Sequence, residues 1–185
     1  MGGSAGRGGA TVIQAYRFAL DPAPAQERVL RSHAGAARFA WNWGLARCQQ
    51  RYQAEGRWYS GRELHRLWNA AKKADPALAW WAENSKCVYQ EAFRNLDQAL
   101  RDFIASKKGQ RKGKRLGFPR LKKRGRCKDS FRFSTGAIGC TGTTVTLPLA
   151  APAAPGQPRA LPQDRGLGEP PQVRGPARPD PRPGG

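Results

Sequence analysis

The sequence predicts an α+β fold in which a block of about five helices is inserted into a small β-sheet. Apolar residues recur at helical spacing across residues 22–106, and short runs of β-branched and aromatic residues lie on either side of that block. A strand at 12–18 has no sequence neighbour with which to pair. It is therefore expected to join the strands at 130–147, so that the helical block interrupts the sheet.

The first two helices are predicted from turn and capping residues. Asp21 supplies an N-cap and Pro22 a first-turn proline for a short helix at about 23–33. Gly35 is predicted to separate that helix from a longer one at about 36–55, because glycine weakens a helix interior.

Three further helices complete the predicted block. Ser60-Gly-Arg-Glu63 is a capping-box pattern, and Asp75-Pro76 opens a short helix that carries two tryptophans. The strongest helix follows Ser85, with an apolar stripe from Val88 to Ile104 that runs for about five turns. Residues 107–126 then form a basic loop rich in lysine, arginine and glycine.

Both ends differ in composition from the foldable region 12–147. Residues 1–11 are glycine-rich and are expected to be a disordered extension. Of the 38 residues from Pro148 to Gly185, 28 are Gly, Ala, Pro or Arg, so this tail is also expected to be disordered. Because these four amino acids have GC-rich codons, the tail is interpreted as the product of a shifted reading frame, with a genuine proline-rich linker as the alternative.

The charge of the chain predicts a polyanionic partner. The formal net charge is +20, from 33 Lys and Arg against 13 Asp and Glu. Thirteen of the basic residues lie between Lys107 and Arg132, where Asp129 is the only acid. This pattern favours nucleic acid over an anionic membrane surface, while a solvated basic loop is the alternative interpretation. No apolar run is long enough to span a membrane.

The residues that usually carry catalysis or bind metal do not form a recognisable pattern. Four widely spaced cysteines include no Cys-x-x-Cys pair, so a zinc site is not expected, and Cys48 and Cys87 are predicted to be buried thiols. The acids are scattered, and neither histidine lies in a catalytic signature. We therefore predict no enzyme, no cofactor and no small-molecule substrate. The chain start lacks a signal peptide, which predicts a cytoplasmic protein.

Several side chains are candidates for direct contact with bases. Trp41 and Trp68 lie on apolar stripes and are expected in the core, whereas Trp58 and Tyr59 lie in a turn and are better candidates for base stacking. Lys86 and Gln90, one helical turn apart, could reach adjacent base edges or a base and a phosphate. The alternative is that this pair is simply a hydrated helix flank.

Six motifs follow one another along residues 16–133. They are Tyr16-Arg-Phe18, Leu20-x-Pro22-x-x-x-Gln26, Gly35-Ala-Ala-Arg-Phe-Ala-Trp-Asn-Trp43, Gln90-x-Ala-Phe-Arg-Asn-Leu-Asp-Gln-Ala-Leu100 with Phe103, Gly117-Phe-Pro-Arg-Leu-Lys-Lys123 and Ser130-Phe-Arg-Phe133. In their order and spacing, these motifs resemble the N-terminal half of the TnpB (OrfB) proteins encoded by bacterial insertion sequences. Residues 12–56 resemble the helix-turn-helix segment described for that family.

The resemblance implies a wedge β-barrel interrupted by a helical recognition domain, which here would be an incomplete barrel. In the family these parts hold a guide RNA and read a short motif beside the target DNA. The family's recognition-helix pair falls on Lys86 and Gln90, and a polar pair falls on Ser134 and Thr135. With Tyr59, the remaining predicted contacts come from the basic loop, at Lys112, Lys114, Arg115, Arg120, Lys122, Lys123 and Arg124.

Family members continue into a nuclease domain with three carboxylates and a zinc ribbon, neither of which this sequence includes. We therefore expect a truncated, non-catalytic protein that binds DNA and structured guide RNA, linked to transposition and DNA recombination. Three alternatives are an intact enzyme whose site has no recognisable signature, a non-functional product of a decayed gene and a stand-alone helix-turn-helix protein. The last would use Arg28, Arg31 and Arg38 on the first helices.

Overall fold

The computed structural model describes residues 15, 17–134, 138–141 and 143–148. This part of the chain folds into four helices followed by a two-stranded antiparallel sheet. None of these helices is long and apolar enough to cross a membrane. The elements are α1 (Pro24–Glu55), α2 (Gly61–Ala74), a 3-10 helix (Pro76–Glu83), α3 (Lys86–Lys107), β1 (Gly139–Cys140) and β2 (Val145–Thr146).

The first two predicted helices are one continuous helix, so the predicted break at Gly35 and the count of five helices were wrong. α1 begins at Pro24, after the N-cap Ala23, and not after the predicted cap Asp21. The Ala23 N–H donates to the Gln26 side chain at 2.9 Å, which satisfies one orphan donor of the first turn. Burial of the α1 residues on both sides of Gly35 outweighs its cost of about 1 kcal/mol in a helix interior.

The predicted starts of the other helices are confirmed. Ser60 and Glu63 form a reciprocal capping box in which the Glu63 N–H donates to Ser60 Oγ and the Ser60 N–H donates to Glu63 Oε2. Asp75 accepts from the Ala77 N–H at the start of the 3-10 helix. Ser85 caps α3. The predicted apolar stripe of this helix is buried from Val88 to Leu100, apart from the half-buried Ala99, whereas Phe103 and Ile104 at its end are half-buried.

The hydrophobic core lies where α1 and α2 pack against α3. α1 approaches α3 closely at Gly44, where an added Cβ would lie 3.0 Å from Leu96 Cδ2. Trp41 and Trp68 are in this core as predicted. Cys48 and Cys87 are buried free thiols, also as predicted.

The predicted sheet is largely absent from the described residues, and no β-barrel forms there. Ser130–Ser134 is not a strand, and among the described residues of 130–147 the paired ones are those of β1 and β2. Ala15, Arg17 and Phe18 are not in a strand either, whereas residues 12–14 and 16 lie outside the described part. The extended 131–133 segment is held by side chains, because Phe131 and Phe133 pack on the His33 ring with centroid distances of 5.5 and 5.9 Å.

Candidate nucleic-acid interface

The basic segment, defined here as residues 107–132, leaves the end of α3 as a loop that is tied back to that helix. The Leu116 N–H donates to Ser106 Oγ at 2.9 Å, which closes the loop at its base. Gly109 and Gly113 turn the chain with φ of 71° and 97°, a left-handed conformation that favours glycine. The intervening basic side chains are therefore carried on a loop fixed at both ends.

The segment then crosses α1, where Trp41 and Asn42 hold its backbone. The Trp41 indole N–H donates to the Arg120 carbonyl at 2.9 Å. The Asn42 amide donates to the Lys122 carbonyl at 2.9 Å and accepts from the Lys122 N–H at 2.8 Å. Phe118 fixes the approach to this crossing by packing edge-on against Phe103 on α3.

Beyond the crossing, the chain passes the first half of α1 and reaches the start of α3. Asp129 is ion-paired with Arg38 of α1.

His33 of α1 is fully buried and joins α1 to the start of α3. Its Nδ1–H donates to the Val29 carbonyl, and its Nε2 accepts from the N–H of Ser85, the N-cap of α3. Burial lowers the pKa of His33 and the hydrogen bond to Val29 partly opposes this, so the ring is neutral near pH 7.

Twelve of the thirteen basic side chains in this segment are exposed, and Lys122 is the exception. Among the described residues, no Asp or Glu forms an ion pair with any cation from Lys107 to Lys128. The only acid of the segment, Asp129, is already paired with Arg38. The fixed backbone thus presents a row of uncompensated positive charges to solvent. The predicted contacts on this exposed row are Lys112, Lys114, Arg115, Arg120, Lys123 and Arg124.

Three residues predicted to contact nucleic acid pack against other side chains of this protein. Lys122 Nζ lies 4.1 Å from the centroid of the Trp41 ring, and burial lowers its pKa. One face of the half-buried Tyr59 ring is covered by the Arg51 guanidinium, 4.1 Å from the ring centroid. Trp58 stacks on Tyr52 with a centroid distance of 4.1 Å.

The structure brings Ser134 to the same end of α3 as the exposed pair Lys86 and Gln90. The Ser134 N–H donates to Sγ of Cys87, the residue after Lys86, at 3.2 Å. Its hydroxyl donates to Glu91, the residue after Gln90, at 2.8 Å. Three of the predicted contacts, distant in sequence, therefore share one surface. The fourth, Thr135, lies outside the described residues.

Sequence reasoning missed two residues that shape this surface, Asn42 and Glu91. Asn42 lies between two tryptophans in the helical motif, and Glu91 is a carboxylate flanked by the apolar positions of the α3 stripe. A polar side chain among apolar positions needs a hydrogen-bond partner, and this requirement indicated that each of the two residues has one. It could not identify the partners, which are 80 and 43 residues away in sequence.

The N-terminal part of the chain is similar to a known domain. Residues 11–57 match the helix-turn-helix domain of the OrfB IS605 type. Within the described part of that span the structure contains one helix, α1. A domain of this kind indicates DNA binding by a transposon-associated protein.

Three curated relatives are provisionally named as RNA-guided DNA endonucleases. Proteins from two strains of Mycobacterium tuberculosis are each 34% identical over 137 residues, which cover 68% of this chain and 30% of theirs. InsQ of Escherichia coli K12 is 31% identical over 124 residues, covering 67% of this chain and 28% of its own. The chain thus spans less than a third of the length of these relatives. The resemblance to OrfB-type proteins is confirmed.

Proposed function

We propose that this chain, with its OrfB-type helix-turn-helix domain, binds nucleic acid without cleaving it. The observation that carries the proposal is the row of exposed, uncompensated cations on a backbone fixed to α1 and α3. Lysine and arginine held in this way bind phosphates and release counterions, which gives affinity with little choice of sequence. Lys86 and Gln90, at the other end of α3, would contact base edges.

The engagement of the acidic side chains supports the non-catalytic part of the proposal. Metal-dependent cleavage of a phosphodiester needs adjacent carboxylates that are free to bind cations. Six carboxylates instead form ion pairs with arginine, which reduces their capacity to hold a metal ion. They are Glu27, Glu55, Glu63, Glu91, Asp97 and Asp129.

The relatives and the shape of the basic segment support structured RNA as a second ligand. The relatives are named for RNA-guided activity, and the aligned region includes most of this chain. Phosphate contacts from a loop are compatible with both A-form RNA and duplex DNA. We propose that both bind the same basic segment and therefore compete.

The proposal is tested by titrating the purified chain with a labelled DNA duplex and a labelled RNA hairpin at increasing salt. Affinity for both should fall steeply, with a slope of about 0.9 per duplex phosphate contacted. Absence of binding at low salt, or binding insensitive to salt, would overturn the proposal. Supercoiled plasmid incubated with Mg²⁺ or Mn²⁺ should stay intact, and nicking would disprove the non-catalytic part. A cooperative circular dichroism melt excludes a non-folding product.

A further inference from the structure

Glu91 is a buried carboxylate on α3, with an exposed fraction of only 1%. Its Oε1 accepts hydrogen bonds from the Ser134 hydroxyl at 2.8 Å and from Arg94 Nη1 at 3.1 Å. Its Oε2 has no hydrogen-bond partner among the described residues, and Arg132 Nη1 lies 3.9 Å away. A buried carboxylate is unfavourable unless nearby cations compensate it, so these two arginines stabilise it.

The two arginines approach this single carboxylate from different elements. Arg94 is one turn further along α3 and Arg132 is in the extended chain after Asp129, yet the side chain of each is 64% exposed. A guanidinium has five N–H donors, and only one of those of Arg94 is used in a hydrogen bond to Glu91. Two cations on one anion leave a net positive charge and free donors at the surface.

We propose that Arg94 and Arg132, positioned by Glu91, form a clamp for a backbone phosphate of bound nucleic acid. The inference rests on the proposed function and adds a site to it. A phosphate oxygen pair matches the fork of a guanidinium, and two guanidiniums held by one carboxylate are oriented before the ligand arrives. Ser134, bonded to Glu91, joins the clamp to the surface that carries Lys86 and Gln90.

The position of the clamp gives it a role distinct from that of the basic segment loop. Arg94 follows Gln90 by one helical turn and both are exposed, so a phosphate held by Arg94 and Arg132 would lie along the strand whose bases face Lys86 and Gln90. Contacts to phosphates fix the register of a strand, whereas contacts to bases read its sequence. The clamp would therefore set which bases meet that pair.

The direct test compares R94Q/R132Q with the matched control R57Q/R101Q in binding to a labelled DNA duplex. The control removes two arginines that are similarly exposed, at 65% and 66%, and similarly ion-paired, to Glu55 and Asp97. R94Q/R132Q should bind about tenfold more weakly than the control, with a salt slope smaller by about 1, because one phosphate contact is lost. Equal binding by the two variants would overturn the clamp while leaving the proposed function intact. Failure of the unmodified chain to bind would instead overturn the proposed function.

A second variant, E91Q, separates positioning from simple charge. It raises the formal net charge of the chain by one, so general electrostatic attraction predicts tighter binding. The clamp predicts weaker binding, by about threefold or more, because the arginines lose the anion that orients them. Tighter or unchanged binding by folded E91Q would contradict the positioning role. Because Arg94 and Arg132 are exposed, the arginine variants still decide the question if E91Q fails to fold.

Discussion

The Asn42 side chain pairs with the backbone of Lys122 in both directions, in the manner of a neighbouring β-strand. Its amide nitrogen donates to the Lys122 carbonyl at 2.9 Å and its amide oxygen accepts from the Lys122 N–H at 2.8 Å. This pairing needs both a donor and an acceptor on one side chain. An aliphatic side chain has neither, and an ionised carboxylate has only acceptors, so neither could replace the amide. This pair fixes the middle of the basic segment to α1.

Replacing Asn42 should release that part of the segment. N42A is expected to lose about 1–2 kcal/mol of the free energy of unfolding, because two half-buried hydrogen bonds are removed. Hydrogen exchange at the Lys122 amide should become faster, and trypsin should cleave more readily after Arg120. The exposed residue Asn95 on α3 provides the control, N95A, which should change neither property. Unchanged protection at Lys122 in N42A would show that other contacts hold the crossing.

Two glycines of α1 should respond in opposite ways to alanine. A Cβ at Gly35 would meet only Arg38 Nη2, at 3.8 Å, so G35A should stabilise the chain by up to about 1 kcal/mol through helix propensity. A Cβ at Gly44 would lie 3.0 Å from Leu96 and 3.2 Å from Phe93, so G44A should destabilise it by about 1–3 kcal/mol. Urea denaturation measures both. Stabilisation by G44A would contradict the close approach of α1 to α3.

His33 should make stability depend on pH. Its folded pKa is lowered by burial, whereas the unfolded chain has the ordinary value near 6.5, so the unfolded state binds more protons between the two. The contribution of neutral His33 is therefore present above about pH 6.5 and is lost as pH falls below it. H33Q should flatten this slope. H65Q should flatten it less, because His65, whose pKa burial also lowers, is only half-buried. A slope unchanged in H33Q would refute the assignment.

Lys86 and Gln90 should affect the choice of sequence more than overall affinity. For a DNA that carries the preferred sequence, K86A and Q90A should each cost about 1–3 kcal/mol of binding free energy, with little change for unrelated DNA. Selection from a randomised duplex pool would identify the sequence and show whether the variants lose it. Gln98, exposed on the same helix and bonded to Asp102, supplies the control Q98A. Equal losses on all sequences would make the pair a phosphate contact instead.

The helices could be predicted from sequence because their signals are local. The capping box at Ser60 and the apolar stripe from Val88 depend on residues three or four positions apart, and both are in place. The break at Gly35 was wrong because tertiary burial, which local propensity does not include, maintains the helix. The strand at 130–134 was wrong because alternation cannot show whether a partner strand is adjacent; Phe131 and Phe133 alternate to pack on His33.

The candidate site could be predicted in outline from charge and spacing. The exposed cations of the basic segment follow from composition, and Lys86 and Gln90 share an exposed face because they are one turn apart. The sequence could not show that Lys122, unlike the neighbouring cations, is not exposed. Its ammonium group packs on the ring of Trp41, which is far away in sequence. The same holds for Glu91, whose partner Ser134 is brought to it only by the tertiary fold.

The salt dependence of duplex DNA binding by K112Q/K114Q/R115Q, set against R62Q/R66Q/K73Q, tests the central claim most directly. Both variants lose three exposed cations, the first from the fixed loop and the second from α2. If the basic segment holds the phosphate backbone, the loop variant should bind at least about tenfold more weakly, with a slope lower by about 2–3. The α2 variant should stay close to the unmodified chain. Equal slopes in the two variants would contradict the account.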